Sequence, residues 1–170
     1  TNEGVAKASE RPQMLVILDY DFSIGKSEVT CAEFNSLMKS SKISVPCEKD
    51  AYPATNLTYY DAVLFANARS KKEGFDTAYT YSKVELNSEN HCVNLEGFAF
   101  HPEVKAYRLP TEAEWAFVAN RFWNTKAAWT SDNSDYHLHA VCSRSSDAQV
   151  CDMVGNAMEW VNDWLGNFRD

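Results

Sequence analysis

A chain of 170 residues, 45% of them apolar, is one globular domain able to bury a core of its own. Its formal net charge of −8 argues against nucleic acid or an anionic membrane surface as a partner. No apolar run approaches the ~20 residues of a membrane span, and Thr1-Asn2-Glu3-Gly4 lacks the basic start and apolar block of a signal peptide. The aromatic content of 13% is high against six glycines, which points to an irregular domain of packed loops.

Residues 1–12 are polar and without period, a loose lead-in to a domain over 13–170. Met14 to Leu18 is a short apolar run that reads as a buried strand, and Phe22 to Val29 as a second, with Phe22, Ile24 and Lys26 on one face. Thr30-Cys31-Ala32-Glu33 has capping-box spacing, and Cys31, Phe34, Leu37 and Met38 form the stripe of a helix ending near Ser40. Ser41 to Pro53 reads as a loop. Asn56-Leu57-Thr58 is formally a glycosylation sequon, but Thr58-x-x-Asp61 is also a cap, and the cap is the reading favoured here. The helix behind it runs from Tyr59 to Glu73, with Ala62, Val63 and Ala66 inward and Gly74 as its stop. Tyr79 to Val84 alternates as a strand, and Leu86 to Phe100 reads as a hairpin or excursion.

The strongest local signal is Tyr107-Arg108-Leu109-Pro110-Thr111-Glu112-Ala113-Glu114-Trp115. Thr111 and Glu114 can satisfy each other's backbone N–H groups, and Trp115, Val118, Ala119 and Phe122 form one apolar stripe behind them. Arg108, on the extended run before the cap, suits a buried guanidinium with several acceptors. Residues 123–150 show no sustained period and read as a covering or functional loop. His137-x-His139 lies in it, but without a thiol or carboxylate at ligand spacing the pair is expected to be exposed rather than metal-binding.

Five cysteines stand at 31, 47, 92, 142 and 151. Cys142 and Cys151 flank a short polar loop and are the first pair to bridge, for roughly 2–3 kcal/mol. Cys31 with Cys47 is a weaker second pair that leaves Cys92 alone. The competing reading is five reduced, buried cysteines in a reducing compartment. An oxidised, exported or cell-envelope protein is the expectation carried forward.

The tail, Cys151 to Trp164, alternates from Met158: Met158, Trp160, Asn162 and Trp164 share one face, Glu159, Val161 and Asp163 the other. Ahead of it, Gly155-Asn156 marks a turn. A carboxylate at 152 and another at 159, with the carbonyls of the turn between, can surround one hard cation, and calcium accepts such a mixed oxygen set. The alternative is a Glu159 simply bonded to N–H groups.

Tyr107–Trp115 and Asp152–Trp164 together resemble the two most distinctive motifs of the formylglycine-generating enzyme family, also called the sulfatase-modifying-factor family. Glu28-Val29-Thr30 with Glu33-Phe34 looks like that family's early strand-to-helix motif, and Asp61-Ala62 like the pair that opens its middle helix. The resemblance implies an α+β domain: an irregular variant of the C-type-lectin fold, low in regular secondary structure, with a small antiparallel sheet and packed helices. It implies a calcium site at Asp152, the carbonyls of Gly155 and Ala157, and Glu159. A second calcium site would fall in the loop after the Thr111 helix, where Asn124, Asp132 and Asp135 offer oxygens. Met158 stands where the family usually has Trp.

The family's enzymes oxidise a substrate cysteine through a copper-binding cysteine pair, and soft sulfur does select Cu(I). As that family is known, the pair lies in a block beyond the Glu-Trp strand, with an Arg-Gly-Gly-Ser-like segment. None of the five cysteines here matches it, so no catalytic residue is carried over and the domain is expected to lack that C-terminal block. The reading is therefore a non-catalytic binding module, with a protein or glycan ligand. The alternative is a copper-dependent formylglycine-generating enzyme, or a related iron-dependent oxidoreductase, whose cysteines lie beyond residue 170.

Overall fold

The computed structural model describes residues 15–144 and 148–164, so the expected lead-in over 1–12 lies outside the described residues. Three helices, α1 (Cys31–Met38), α2 (Tyr59–Lys72) and α3 (Glu112–Phe122), carry most of the regular structure. Between α2 and α3 run four short strands, β1 (Tyr79–Thr80), β2 (Lys83–Leu86), β3 (Cys92–Glu96) and β4 (Ala99–Phe100). β1 pairs with β4 and β2 with β3, both antiparallel, so the four strands form one nested ribbon interrupted near Ser82 and Gly97. The expected single strand over Tyr79–Val84 is thus two.

Each helix starts where its cap places it. Thr58 and Asp61, and Thr111 and Glu114, form complete capping boxes. At α1 the Thr30 hydroxyl accepts from Glu33 N, while the Glu33 carboxylate turns away to Arg69 at 3.1 Å. The main core joins α1, α2 and the ribbon: Phe34 stacks on Phe65 at 5.3 Å, and Tyr79 lies against Phe98 and Phe100. Asn67 is a polar residue on the buried face of α2 because it replaces a ladder partner. Its amide donates to Tyr79 O at 2.7 Å and its carbonyl accepts from Tyr79 N at 3.3 Å.

Two sequence expectations fail at the N-terminal end. Leu15 to Leu18 is no buried strand: Leu15 is 90% and Ile17 77% exposed, and no strand among the described residues pairs with them. Phe22 to Val29 belongs to no ladder and bends at Lys26 and Ser27. Its alternation survives for another reason, since Phe22 and Ile24 pack on a second cluster of Val118, Ala119 and Met153 under α3.

The Arg108 corner joins the two clusters. Arg108 donates through both terminal nitrogens to the two oxygens of Glu114, at 2.7 and 2.5 Å. Glu114 also accepts from Thr111 N at 2.8 Å and from the Tyr20 hydroxyl at 3.0 Å, and is 1% exposed. Burial pushes its pKa up, but the Arg108 and Thr111 bonds outweigh burial and hold it at about 2. A depressed folded pKa stabilises above the usual carboxylate range and loses that contribution as pH falls from about 4.5 towards about 2. Glu114→Gln leaves the guanidinium half-buried without its anion. Chemical denaturation should show a loss on the order of 3 kcal/mol at neutral pH and a flatter acid limb between pH 4.5 and 2; an acid limb unchanged by the substitution contradicts the assignment.

Candidate functional site

The site is built on a backbone approach that only glycine permits. Gly155 has φ +81°, and a Cβ there would lie 1.9 Å from Trp129 O. The two residues form an isolated parallel bridge, and Asn156 N donates to Trp129 O at 2.8 Å. Asn156, at φ +55°, ties the loop on both sides. Its carbonyl accepts from His139 N at 3.0 Å, and its amide donates to His139 O and to Glu28 Oε2 at 2.7 Å. The other Glu28 oxygen accepts from Ala157 N at 2.9 Å. Glu28 therefore clamps the bend from 128 residues away.

Asp152 and Glu159 stand on either side of this bend in the chain. Asp152 is 6% exposed and left-handed at φ +56°; Oδ2 accepts from Cys142 N at 2.5 Å, while Oδ1 is buried with no hydrogen-bond partner. Glu159 keeps access to solvent, and its Oε2 accepts from the Trp115 indole at 2.6 Å, which ties the tail to α3. Protein packed around the Glu159 carboxylate raises its pKa against the Trp115 bond, and Asp152 raises it further. Burial drives Glu28 up to about 8, despite its two N–H donors, with Asp152 and Glu159 adding to the rise. Three carboxylates thus share one electrostatic environment.

A buried carboxylate oxygen without a partner is costly, and a hard cation satisfies it. The donor set Asp152, the carbonyls of Gly155 and Ala157, and Glu159 fits calcium in chemistry. Among the described residues no group of three or more His, Cys, Asp or Glu is placed to hold a metal; the expected set needs only two such side chains. His137 is exposed, whereas His139 lies flat on Trp129 and its Nε2 contacts Ser134 O. In the following loop Asn124 caps the 3-10 turn Thr125–Ala127 by accepting from Lys126 N, and Asp132 and Asp135 are exposed.

Two disulfides form, Cys31–Cys47 and Cys142–Cys151, with Cα separations of 5.7 and 5.1 Å. Cys92 is a buried free thiol, and burial raises its pKa.

A family model described as the sulfatase-modifying factor enzyme 1-like domain matches residues 1–170. The chain belongs to that family. It is 27% identical over 177 residues to a chaperone protein named LppX from Paenibacillus barcinonensis, covering 85% of this chain and 62% of that protein. Two solved structures share the fold at a TM-score of 0.62 each. Treponema denticola variable protein 1 is 24% identical over 83% of this chain and 62% of its own, and CarF is 21% identical over 81% and 67%. The domain spans about three-fifths of its curated relative, and its architecture is the irregular, C-type-lectin-like α+β fold of these neighbours.

The sequence reading named Asp152, Gly155, Ala157 and Glu159 as calcium ligands and did not anticipate the Glu28 clamp or the Asn156 ties. Glu28 stands just before the Val29-Thr30 start of α1, yet no spacing links it to Ala157. Because the bend has no room for a side chain, Gly155→Ala should destabilise the domain by about 3 kcal/mol or more in urea. A loss under about 1 kcal/mol contradicts the close approach.

Proposed function

We propose that this domain is a binding module that uses the family scaffold without cysteine oxidation, in an exported or cell-envelope protein. One observation carries the reading: every cysteine of the sequence is committed to something else. Four are in disulfides and the fifth is a buried thiol held in its protonated form. Copper(I) needs a paired, accessible thiolate site, and a formylglycine-generating activity would have to draw that pair from outside these 170 residues. The disulfides favour an oxidising compartment, and the relative named as a chaperone supports capture of a ligand over turnover. No described helix is long and apolar enough to cross a membrane.

Within this reading calcium is a structural ion. Asp152, the carbonyls of Gly155 and Ala157, and Glu159 would hold it, and its charge would offset the acidic groups around the bend. The ion supplies rigidity, while Glu28 and Trp115 fix the bend and the Glu159 carboxylate from opposite sides.

Copper(I) titration of the native domain, paired with a glycan and peptide array, separates the two activities. The binding module takes up no stoichiometric copper and gives a saturable hit on the array. One tightly held copper per native chain overturns the reading, and so does an array without any hit from folded protein.

A further inference from the structure

Away from the bend, a second arrangement reaches beyond its structural role. Asp61, the third residue of α2, is fully buried and does more than close its capping box. Its Oδ1 accepts from Cys92 N at 2.8 Å, its Oδ2 from Thr58 N at 3.0 Å, and Oδ2 also lies 2.7 Å from His91 Nδ1. Backbone N–H groups only donate, so Asp61 accepts from Cys92 and Thr58, and the tautomer that lets it accept from His91 as well is the one with the hydrogen on Nδ1. The His91 main chain is fixed too: its N donates to Asn87 Oδ1 and its carbonyl accepts from Asn87 N, both at 2.9 Å. A buried carboxylate that sets the tautomer of an imidazole is the device by which proteins aim the other ring nitrogen at a partner.

His91 also borders a pocket. His91 lines an open surface depression of about 770 Å³ with Ser44, Asn56, Leu57, Asn87 and Glu89. Three braced segments meet there. The loop at Ser44 is held by Asn35, whose side chain bonds Val45 N and O, and by the Cys31–Cys47 disulfide. The others are the entry to α2 and the β2–β3 turn. The pocket offers donors from the Asn56 and Asn87 amides, whereas His91 Nε2 and Glu89 accept; the Asn87 carbonyl is already taken by the Glu89 and His91 N–H groups. Neither Lys nor Arg lines it, so it does not suit an anion, and one exposed carboxylate does not make a hard-cation site. Leu57 of the lining accepts from the Trp160 indole at 3.3 Å, and Trp160, 48% exposed, stands edge-on to Tyr59.

A ligand that both donates and accepts at closely spaced points, and carries C–H faces, meets these requirements. We infer that this pocket binds a saccharide or similar polyhydroxylated ligand, with His91 Nε2 accepting from a ligand hydroxyl and Asp61 as the positioning residue. The inference rests on the binding-module reading and names its ligand class and its site.

Long-range proton–nitrogen NMR of the imidazoles, with mannose, galactose, glucose and N-acetylglucosamine as probes, tests it. Neutral His91 should be the Nδ1–H tautomer, and its Nε2 resonance should shift saturably with at least one sugar. His91→Phe should weaken that sugar about tenfold or more in protein that NMR shows to be folded. Ser44→Ala, an exposed change, should weaken it as well, and it serves if the His91 variant does not fold. An Nε2–H tautomer, a sugar affinity indifferent to both variants, or no shift with any probe overturns the inference. If the sugars fail while peptides bind the array, the module reading stands without this site; if neither binds, both fall.

Discussion

The domain depends on the contact between the Gly155 backbone and the carbonyl of Trp129, where no side chain fits. Because the two main chains meet there, Asn156 can reach His139 and Glu28, and the Glu28 carboxylate can close on Ala157 N. The N-terminal segment, the long loop and the tail are thereby joined at one point. From that point the tail continues along both helices. Glu159 bonds the Trp115 indole and Asp163 accepts from the first amide of α3, while Asn162 accepts from the Tyr79 hydroxyl beside α2.

Two glutamates show how the same side chain is handled in two ways. Glu114 has a guanidinium on both oxygens, and its charge is favoured strongly enough to hold the pKa at about 2. Glu28 has only N–H donors, two further carboxylates nearby, and a pKa raised to about 8. Dipoles offset part of the desolvation of a charge, whereas a full opposite charge reverses it. The corner at Arg108 is thus electrostatically complete within the chain. The bend at Gly155 is the place where a cation would change the balance.

Helix starts were legible in the sequence because capping boxes act over three residues, and Thr58, Thr111 and, in half, Thr30 behaved as their spacing required. The tail alternation was legible too: Glu159 and Asp163 face α3, while Trp160 and Asn162 face Tyr59 and Tyr79. Leu15 to Leu18 misled because apolarity names a candidate strand but not a partner for it. Glu28 on Ala157 and His91 on Asp61 were invisible, since contacts made across the fold leave no period. The Cys31–Cys47 pair, ranked second by spacing, forms alongside Cys142–Cys151.

Thermal unfolding in calcium and in chelator, for the native sequence and for Glu159→Gln, tests the bend as a cation site most directly. Chelation should lower the melting temperature of the native domain, and the variant should have lost that sensitivity. A native domain whose melting is the same in both solutions would mean that Asp152 and Glu159 hold no ion.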